Sequence, residues 1–69
     1  MNEQTEAKAT DRVLRRAEIL KRTGVSFPTI SRWEKAGEFP RRVKLGPGVS
    51  GWLENEYLAW LESKKERRH

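Results

Sequence analysis

The stretch from Thr23 to Pro40 holds the signals that end one short helix at a glycine and start and stop a second one. Gly24 can adopt the left-handed conformation that ends a helix, and the hydroxyl of Ser26 can cap the helix that follows. Gly37 and Pro40 predict the end of that second helix after about three turns. Two short helices joined by a tight glycine turn are typical of a helix-turn-helix.

The flanking sequence predicts one small domain over residues 12–66. Residues 1–11 hold no apolar side chain besides Met1 and alanines, so we expect a disordered tail there, and residues 67–69 are expected to fray. The first helix is predicted from about Arg16 to Thr23. Because no good N-cap residue precedes it, a start at Thr10 or Asp11 is an alternative. Its buried side would consist of Ala17, Ile19, Leu20 and Thr23.

Charged and apolar residues alternate from Arg41 to Leu45, as in a half-exposed strand. Residues 46–48 form a turn signal and residues 49–52 a return strand, which together predict a β-hairpin. Because strand side chains alternate, Val43 is expected to pack inward while Arg42 and Lys44 reach outward. A last helix should start near Glu54 or Asn55, with a buried stripe made of Leu53, Tyr57, Trp60 and Leu61.

The distribution of charge predicts a nucleic-acid partner. The formal net charge is +5, and residues 12–45 hold ten of the fifteen Lys and Arg but only three acids. A basic excess on the segment with the helix-turn-helix signals is an electrostatic footprint of nucleic-acid binding rather than of simple solvation. The chain has no cysteine, its single histidine is the last residue, and no glycine-rich phosphate loop follows a strand. We therefore expect neither an enzyme nor a metal, cofactor or small-molecule ligand, and we expect a soluble cytoplasmic protein without a membrane partner.

A resemblance to a known family is carried by residues spaced along most of the chain: Glu18-Ile19-Leu20, Thr23-Gly24-Val25-Ser26, Thr29-Ile30, Arg32, Lys35-Ala36-Gly37, Phe39-Pro40, Val43-Lys44-Leu45-Gly46, Gly51-Trp52-Leu53-Glu54, Glu56 and Trp60. In this order and spacing the chain resembles the AlpA family of small phage-type DNA-binding regulators. The resemblance implies a winged helix-turn-helix of three helices plus a wing, related to MerR-type domains and phage excisionases. Two positions at or near the DNA-reading surface depart from the family pattern, since Phe27 stands where a basic residue is common and Ser31 where tyrosine is frequent, so no base preference is implied. Arg16 also stands where the family often has an apolar residue.

The front of the second helix and the basic hairpin supply the candidate DNA-binding residues: Ser26, Phe27, Pro28, Thr29, Ser31, Arg32, Lys35, Arg41, Arg42 and Lys44. Ser26 and Thr29 can bond phosphate or base edges, and Arg32 can reach a guanine bidentately. Lys35 and the wing cations are suited to phosphates. Phe27 can either contact a thymine methyl or fold back onto Ile30 as a structural contact.

Alternatives remain for function. Trp33, Trp52 and Trp60 could stack on single-stranded bases, but their helical and strand spacing favours the core. The main hypothesis is a site-specific transcriptional regulator of duplex DNA, monomeric when free and cooperative on DNA. An excision factor that bends DNA for a phage-type integrase would use the same surface. A small protein-interaction adaptor or antitoxin is a rival of a different class, although it would not need the basic stripe.

Overall fold

The computed structural model describes residues 11–67. Of the predicted tail only Asp11 lies within the described residues, and of residues 67–69 only Arg67 does. The elements in chain order are β1 (Val13–Leu14), α1 (Arg16–Thr23), α2 (Phe27–Lys35), β2 (Val43–Gly46), β3 (Val49–Leu53) and α3 (Glu54–Arg67). Three helices and a small antiparallel sheet, with the helix-turn-helix before the hairpin, confirm the predicted winged helix-turn-helix.

The turn between α1 and α2 is built as its glycine and serine predict. Gly24 has φ +75° and donates its N–H to the Leu20 carbonyl oxygen at 2.8 Å, which ends α1. Ser26 caps α2 by accepting the N–H of Thr29 at 3.4 Å, and Pro28 occupies the second helical position, where no intrahelical N–H is needed. The alternative start of α1 at Thr10 or Asp11 is wrong, because residues 13–14 form a strand before the helix.

A two-residue strand extends the hairpin into a three-stranded sheet of order β1-β3-β2, with both pairings antiparallel. Val13 lies opposite Leu53, and Leu14 lies opposite Trp52. Leu14 and Trp52 are each only 1% exposed, so their shared face of the sheet packs against the helices. The long-range pairing of β1 therefore connects the start of the domain to the base of the wing.

The core is small and partly aromatic. Its buried members, all below 5% exposure, are Leu14, Ile19, Ile30, Phe39, Trp52 and Tyr57. The predicted stripe on the last helix is confirmed at Tyr57, whereas Trp60 and Leu61 are half-buried at the edge of the core. On α1 the buried position is Ile19, and the prediction for Ala17 is wrong because Ala17 is exposed.

The side of the wing strand β2 that faces the helices is the opposite of the one predicted. Arg42 and Lys44 do share a side of the chain opposite Val43, but Val43 is 36% exposed and does not pack inward. Val43 pairs with Gly51, which places it on the outer face of the sheet, while Lys44 pairs with Ser50 on the helix-facing side. Arg42 consequently turns toward the domain instead of away from it.

Candidate nucleic-acid interface

An exposed chain of hydrogen bonds runs along the front of α2. The hydroxyls of Ser26 and Thr29 lie 3.1 Å apart, and Arg32 Nη2 donates to Thr29 Oγ1 at 3.3 Å. The α-helical spacing of three residues brings these side chains onto one face, with the exposed Pro28 beside them. Ser26, Thr29 and Arg32 can therefore present hydroxyl and guanidinium groups together at the N-terminal part of the helix.

Phe27 is half-buried and packs against the core, which agrees with the alternative in which it makes a structural contact. The Arg16 guanidinium carbon lies 4.5 Å from the centre of the Phe27 ring, and that of Arg42 lies 5.0 Å from it. Contacts of this kind are attractive because the face of an aromatic ring is negative. Phe27 thus joins α1, α2 and the segment before the wing.

Glu34 and Arg42 form an ion pair that the sequence analysis did not predict. Arg42 Nη2 lies 2.5 Å from Glu34 Oε1, and Arg42 Nε lies 3.1 Å from both carboxylate oxygens. Arg42 Nη2 also donates to Ser31 Oγ at 3.3 Å. Two predicted interface residues, Ser31 and Arg42, therefore contact each other instead of standing free on the surface.

No short-range feature of the sequence predicted that Glu34 would form an ion pair. Its neighbours four residues away are Ile30 and Glu38, so no basic partner stands at helical spacing. The partner is Arg42, eight residues on and beyond the end of the helix. Burial raises the pKa of Glu34, but the hydrogen bonds and charge of Arg42 outweigh it and hold that pKa below its ordinary value.

The other acid of α1 and α2 is also paired within the domain. Glu18 lies 2.8 Å from Arg22, whose hydrogen bond lowers the pKa of Glu18. Arg22 also lies 3.2 Å from Glu54 at the start of α3. In contrast, several cations have no ion pair with any residue between 11 and 67: Arg15, Arg16, Arg32, Lys35, Arg41 and Lys44.

All of these cations except Arg32 line two depressions that share Arg42. An open cleft between the start of α1 and the wing is lined by Arg15, Arg16, Ala17, Phe27, Arg42, Lys44, Gly48, Val49, Ser50 and Trp52. A shallower depression is lined by Glu34, Lys35, Arg41 and Arg42. Arg42 borders both, so Lys44 lies on one side of it, and Lys35 and Arg41 lie on the other. The structure thereby places Lys35 of α2 and the predicted cations of the wing on neighbouring surfaces.

The tryptophans have structural contacts, as their spacing favoured. Trp52 is buried and donates its indole N–H to Glu34 Oε2 at 2.9 Å. The Trp33 and Trp60 rings lie 6.0 Å apart, and both contact Phe39. The geometry therefore assigns all three rings to packing around the core.

The described residues contain neither a metal-binding cluster nor a membrane-spanning helix. Between residues 11 and 67, no three His, Cys, Asp or Glu side chains are grouped so that they could hold a metal ion. Within the same range, none of the helices has the length and apolar character needed to cross a membrane.

Comparison with known proteins agrees with the resemblance seen in the sequence. The family model described as the prophage CP4-57 regulatory protein (AlpA) matches residues 12–65. The uncharacterized protein ORF88 of Enterobacteria phage P4 is 37% identical over 54 residues, which are 78% of this chain. The match spans 61% of the length of that phage protein. A family match over most of the chain, on a winged helix-turn-helix, shows that this protein belongs to the AlpA family of prophage regulatory proteins.

Proposed function

We propose that this protein is a transcriptional regulator that binds specific sites in duplex DNA. In this proposal the N-terminal part of α2 enters the major groove, and the basic wing lies along the adjacent backbone or minor groove. The activity is binding alone and requires neither a metal nor a cofactor.

One electrostatic arrangement carries the proposal. Glu18 and Glu34, the two acids of α1 and α2, are occupied by Arg22 and Arg42. The exposed Arg32, Lys35 and Lys44 have no acidic partner among residues 11–67. A surface in which acids are neutralised internally and cations are left free attracts a polyanion and gains affinity by releasing its counterions.

The predicted residues then divide between two roles. Arg32, exposed on α2, and the half-buried Thr29 bonded to it are suited to base edges, with Ser26 near the helix N-terminus suited to a phosphate. Lys35, Arg41 and Lys44 are suited to phosphates, which position the domain without reading sequence. Membership of a prophage regulatory family supports regulation as the biological outcome.

A titration of the protein with labelled duplex DNA at several salt concentrations tests this proposal. With on the order of four to six phosphate contacts, the logarithm of the association constant should fall with the logarithm of salt concentration with a slope of roughly −4 to −5. A binding curve without salt dependence, or no binding to duplex DNA from the surroundings of the protein's own gene, would contradict it.

Matched lysine variants sharpen the test. Lys44→Ala should make the salt slope shallower by about one, because it removes one phosphate contact. Lys65→Ala removes the same charge from the exposed end of α3, beside Glu62, and should leave the slope nearly unchanged. Equal effects of both variants would indicate attraction by net charge alone and would count against a defined interface. An adaptor that binds only protein would show no slope in either case.

A further inference from the structure

Glu34 joins three separate parts of the domain through one carboxylate. It lies on α2, accepts the backbone N–H of Arg42 just before β2 at 3.0 Å, and accepts the indole N–H of Trp52 on β3 at 2.9 Å. The Arg42 side chain adds bonds from Nε and Nη2 to the same carboxylate. The Glu34 side chain is only 11% exposed, so these bonds replace water around the charge.

The Arg42 side chain is 32% exposed, and its guanidinium has four partners among the described residues. Its carbon lies 5.0 Å from the centre of the Phe27 ring and 5.1 Å from that of Trp52. Its Nη2 donates to Ser31 as well as to Glu34. Since a guanidinium is planar and its donors are fixed as a fork, these partners specify its orientation and that of the backbone that carries it.

An ion pair of this kind contributes more to geometry than to stability. Removing two charges from water costs much of what their attraction returns, so such a pair is weak evidence of net stabilisation. The Glu34 bond to the Arg42 backbone N–H, however, fixes the point at which the chain enters the wing. Because Lys44 is only two residues further along the chain, its position relative to α2 depends on where Glu34 holds the Arg42 backbone.

We propose that Glu34 and Arg42 are positioning residues that hold the wing against α2, so that Lys44 and the exposed face of α2 can contact one stretch of duplex DNA together. This inference rests on the proposed DNA binding, and it assigns Arg42 a different role from a direct phosphate contact. The proposal also predicts that Glu34 strengthens DNA binding, although its negative charge by itself would weaken the binding of a polyanion.

The direction in which Glu34→Gln changes the DNA affinity tests the proposal. Glu34→Gln raises the net charge by one, so electrostatics alone would strengthen DNA binding. Loss of the ion pair should instead weaken it, by about tenfold for a residue within one hydrogen-bond network. Glu38→Gln makes the same change of charge at an exposed residue beyond the end of α2 and should bind DNA equally well or more tightly. Glu34→Gln binding more tightly, as its control does, would overturn the proposal.

A second pair of variants keeps the charge constant and covers the case in which Glu34→Gln fails to fold. Arg42→Lys retains the positive charge but loses the fork, whereas Arg67→Lys makes the same change at the exposed end of α3, away from the proposed DNA contacts. A positioning role predicts weaker binding for Arg42→Lys alone. Nearly unchanged affinity for both variants would mean that Arg42 acts as a point charge on phosphate and would overturn the proposal.

A double-variant comparison in the same DNA titration measures the coupling directly. Lys44→Ala should cost less affinity in the Arg42→Lys background than in the wild type, because a displaced wing no longer places Lys44 on DNA. An equal loss of affinity in both backgrounds would contradict the positioning role without contradicting the proposed DNA binding. Failure of the wild-type protein to bind duplex DNA would instead overturn the proposed function and this inference with it.

Discussion

Trp60 meets Phe39 edge to face, with ring centroids 4.8 Å apart and an interplanar angle of 73°. The indole N–H of Trp60 also donates to the Glu38 carbonyl oxygen at 2.7 Å, next to Phe39 in the chain. α3 is thereby fixed to the segment that links α2 to the wing. The contact lies at the edge of the core, since Phe39 is buried and Trp60 only half-buried.

We predict that Trp60→Ala lowers the free energy of unfolding by roughly 2 to 4 kcal/mol, near the lower end of the range for buried aromatic truncations. Thermal and urea unfolding followed by circular dichroism would measure it. Leu58→Ala on the same helix is the control, because Leu58 is 45% exposed and its truncation should change stability little. A normal unfolding curve for Trp60→Ala together with lost DNA binding would point to a stacking role instead.

Gly51 permits the close approach of β1 to β3. A Cβ built on Gly51 would lie 2.5 Å from Val13 Cγ1 and 2.9 Å from the Leu14 carbonyl oxygen. The second of these atoms belongs to the backbone and cannot rotate away, so Gly51→Ala should destabilise the domain by about 1 to 3 kcal/mol. Gly46→Ala in the same hairpin has open space around the new methyl group and should have little effect. Equal stability of the two variants would contradict this account.

Local signals predicted the helices well, because the features that start and stop them are short-range. Gly24 and Ser26 act within one turn of their own positions, and both are confirmed. The pairing of Val13 with Leu53 could not be seen in the same way, since a two-residue strand has no periodicity and its partner lies forty positions away. The helices of this small domain were therefore more predictable than its sheet.

The wing illustrates a different limit of sequence reasoning. Alternation along the strand correctly separated Val43 from Arg42 and Lys44, but it could not say which side faces the domain. The usual preference for an apolar residue inside was wrong because Glu34, whose side chain is 11% exposed, provides an anionic partner for Arg42 on that side. Whether Arg42 also contacts DNA stays a prediction, as it does for the other candidate interface residues.

Acid should weaken the domain through Glu34. Its pKa in the folded state lies below its ordinary value, so its contribution to stability is present above the unfolded-state pKa of about 4.3 and is lost as the pH falls through the folded-state pKa. We expect the melting temperature of the wild type to fall as the pH drops below about 5, and the melting temperature of Glu34→Gln to fall less. Glu56→Gln, at an exposed acid without an ion pair among residues 11–67, should follow the wild type. Superimposable acid profiles for wild type and Glu34→Gln would contradict this assignment.

Glu18 contributes in the same pH range and needs its own control. Its hydrogen bond from Arg22 lowers its pKa, so it also favours the folded state at neutral pH more than in acid. Because this pair is far more exposed to solvent than Glu34, salt should screen it strongly. The acid-dependent loss that persists at high salt should therefore belong mainly to Glu34, which repeating the melts of Glu18→Gln and Glu34→Gln in salt would show.

Arg32 should carry sequence discrimination. It is exposed on α2 and is oriented by its bond to Thr29, as a base-reading guanidinium needs to be. Arg32→Ala should weaken binding to the preferred site by roughly 1 to 3 kcal/mol and weaken binding to random duplex much less. Lys44→Ala should weaken both to a similar degree, and competition titrations with the two DNAs would compare them. Equal losses for Arg32→Ala on both DNAs would make Arg32 a phosphate contact.

The small reading surface predicts how the protein achieves selectivity. Ser26, Thr29 and Arg32 on α2 can read only a few base pairs, which cannot by itself distinguish one site in a genome. Among residues 11–67 the exposed large apolar side chains are Val13, Val43, Leu45 and Leu58, far fewer than the roughly 20 to 30 residues that each partner contributes to a stable interface. We therefore predict a monomer in free solution that occupies neighbouring sites on DNA cooperatively.

Sedimentation of the free protein, together with footprinting over a range of protein concentrations, tests both parts of this last prediction. Protection should spread over adjacent sites within a narrow concentration range, because each bound copy raises the occupancy of the next. Sites clustered at a promoter would favour regulation, whereas sites clustered at an attachment sequence, with stimulated excision by a phage-type integrase, would favour the excision factor. A stable free dimer, or a single footprint that saturates without cooperativity, would contradict this mode of binding, since one short helix and one wing would then have to supply all the selectivity.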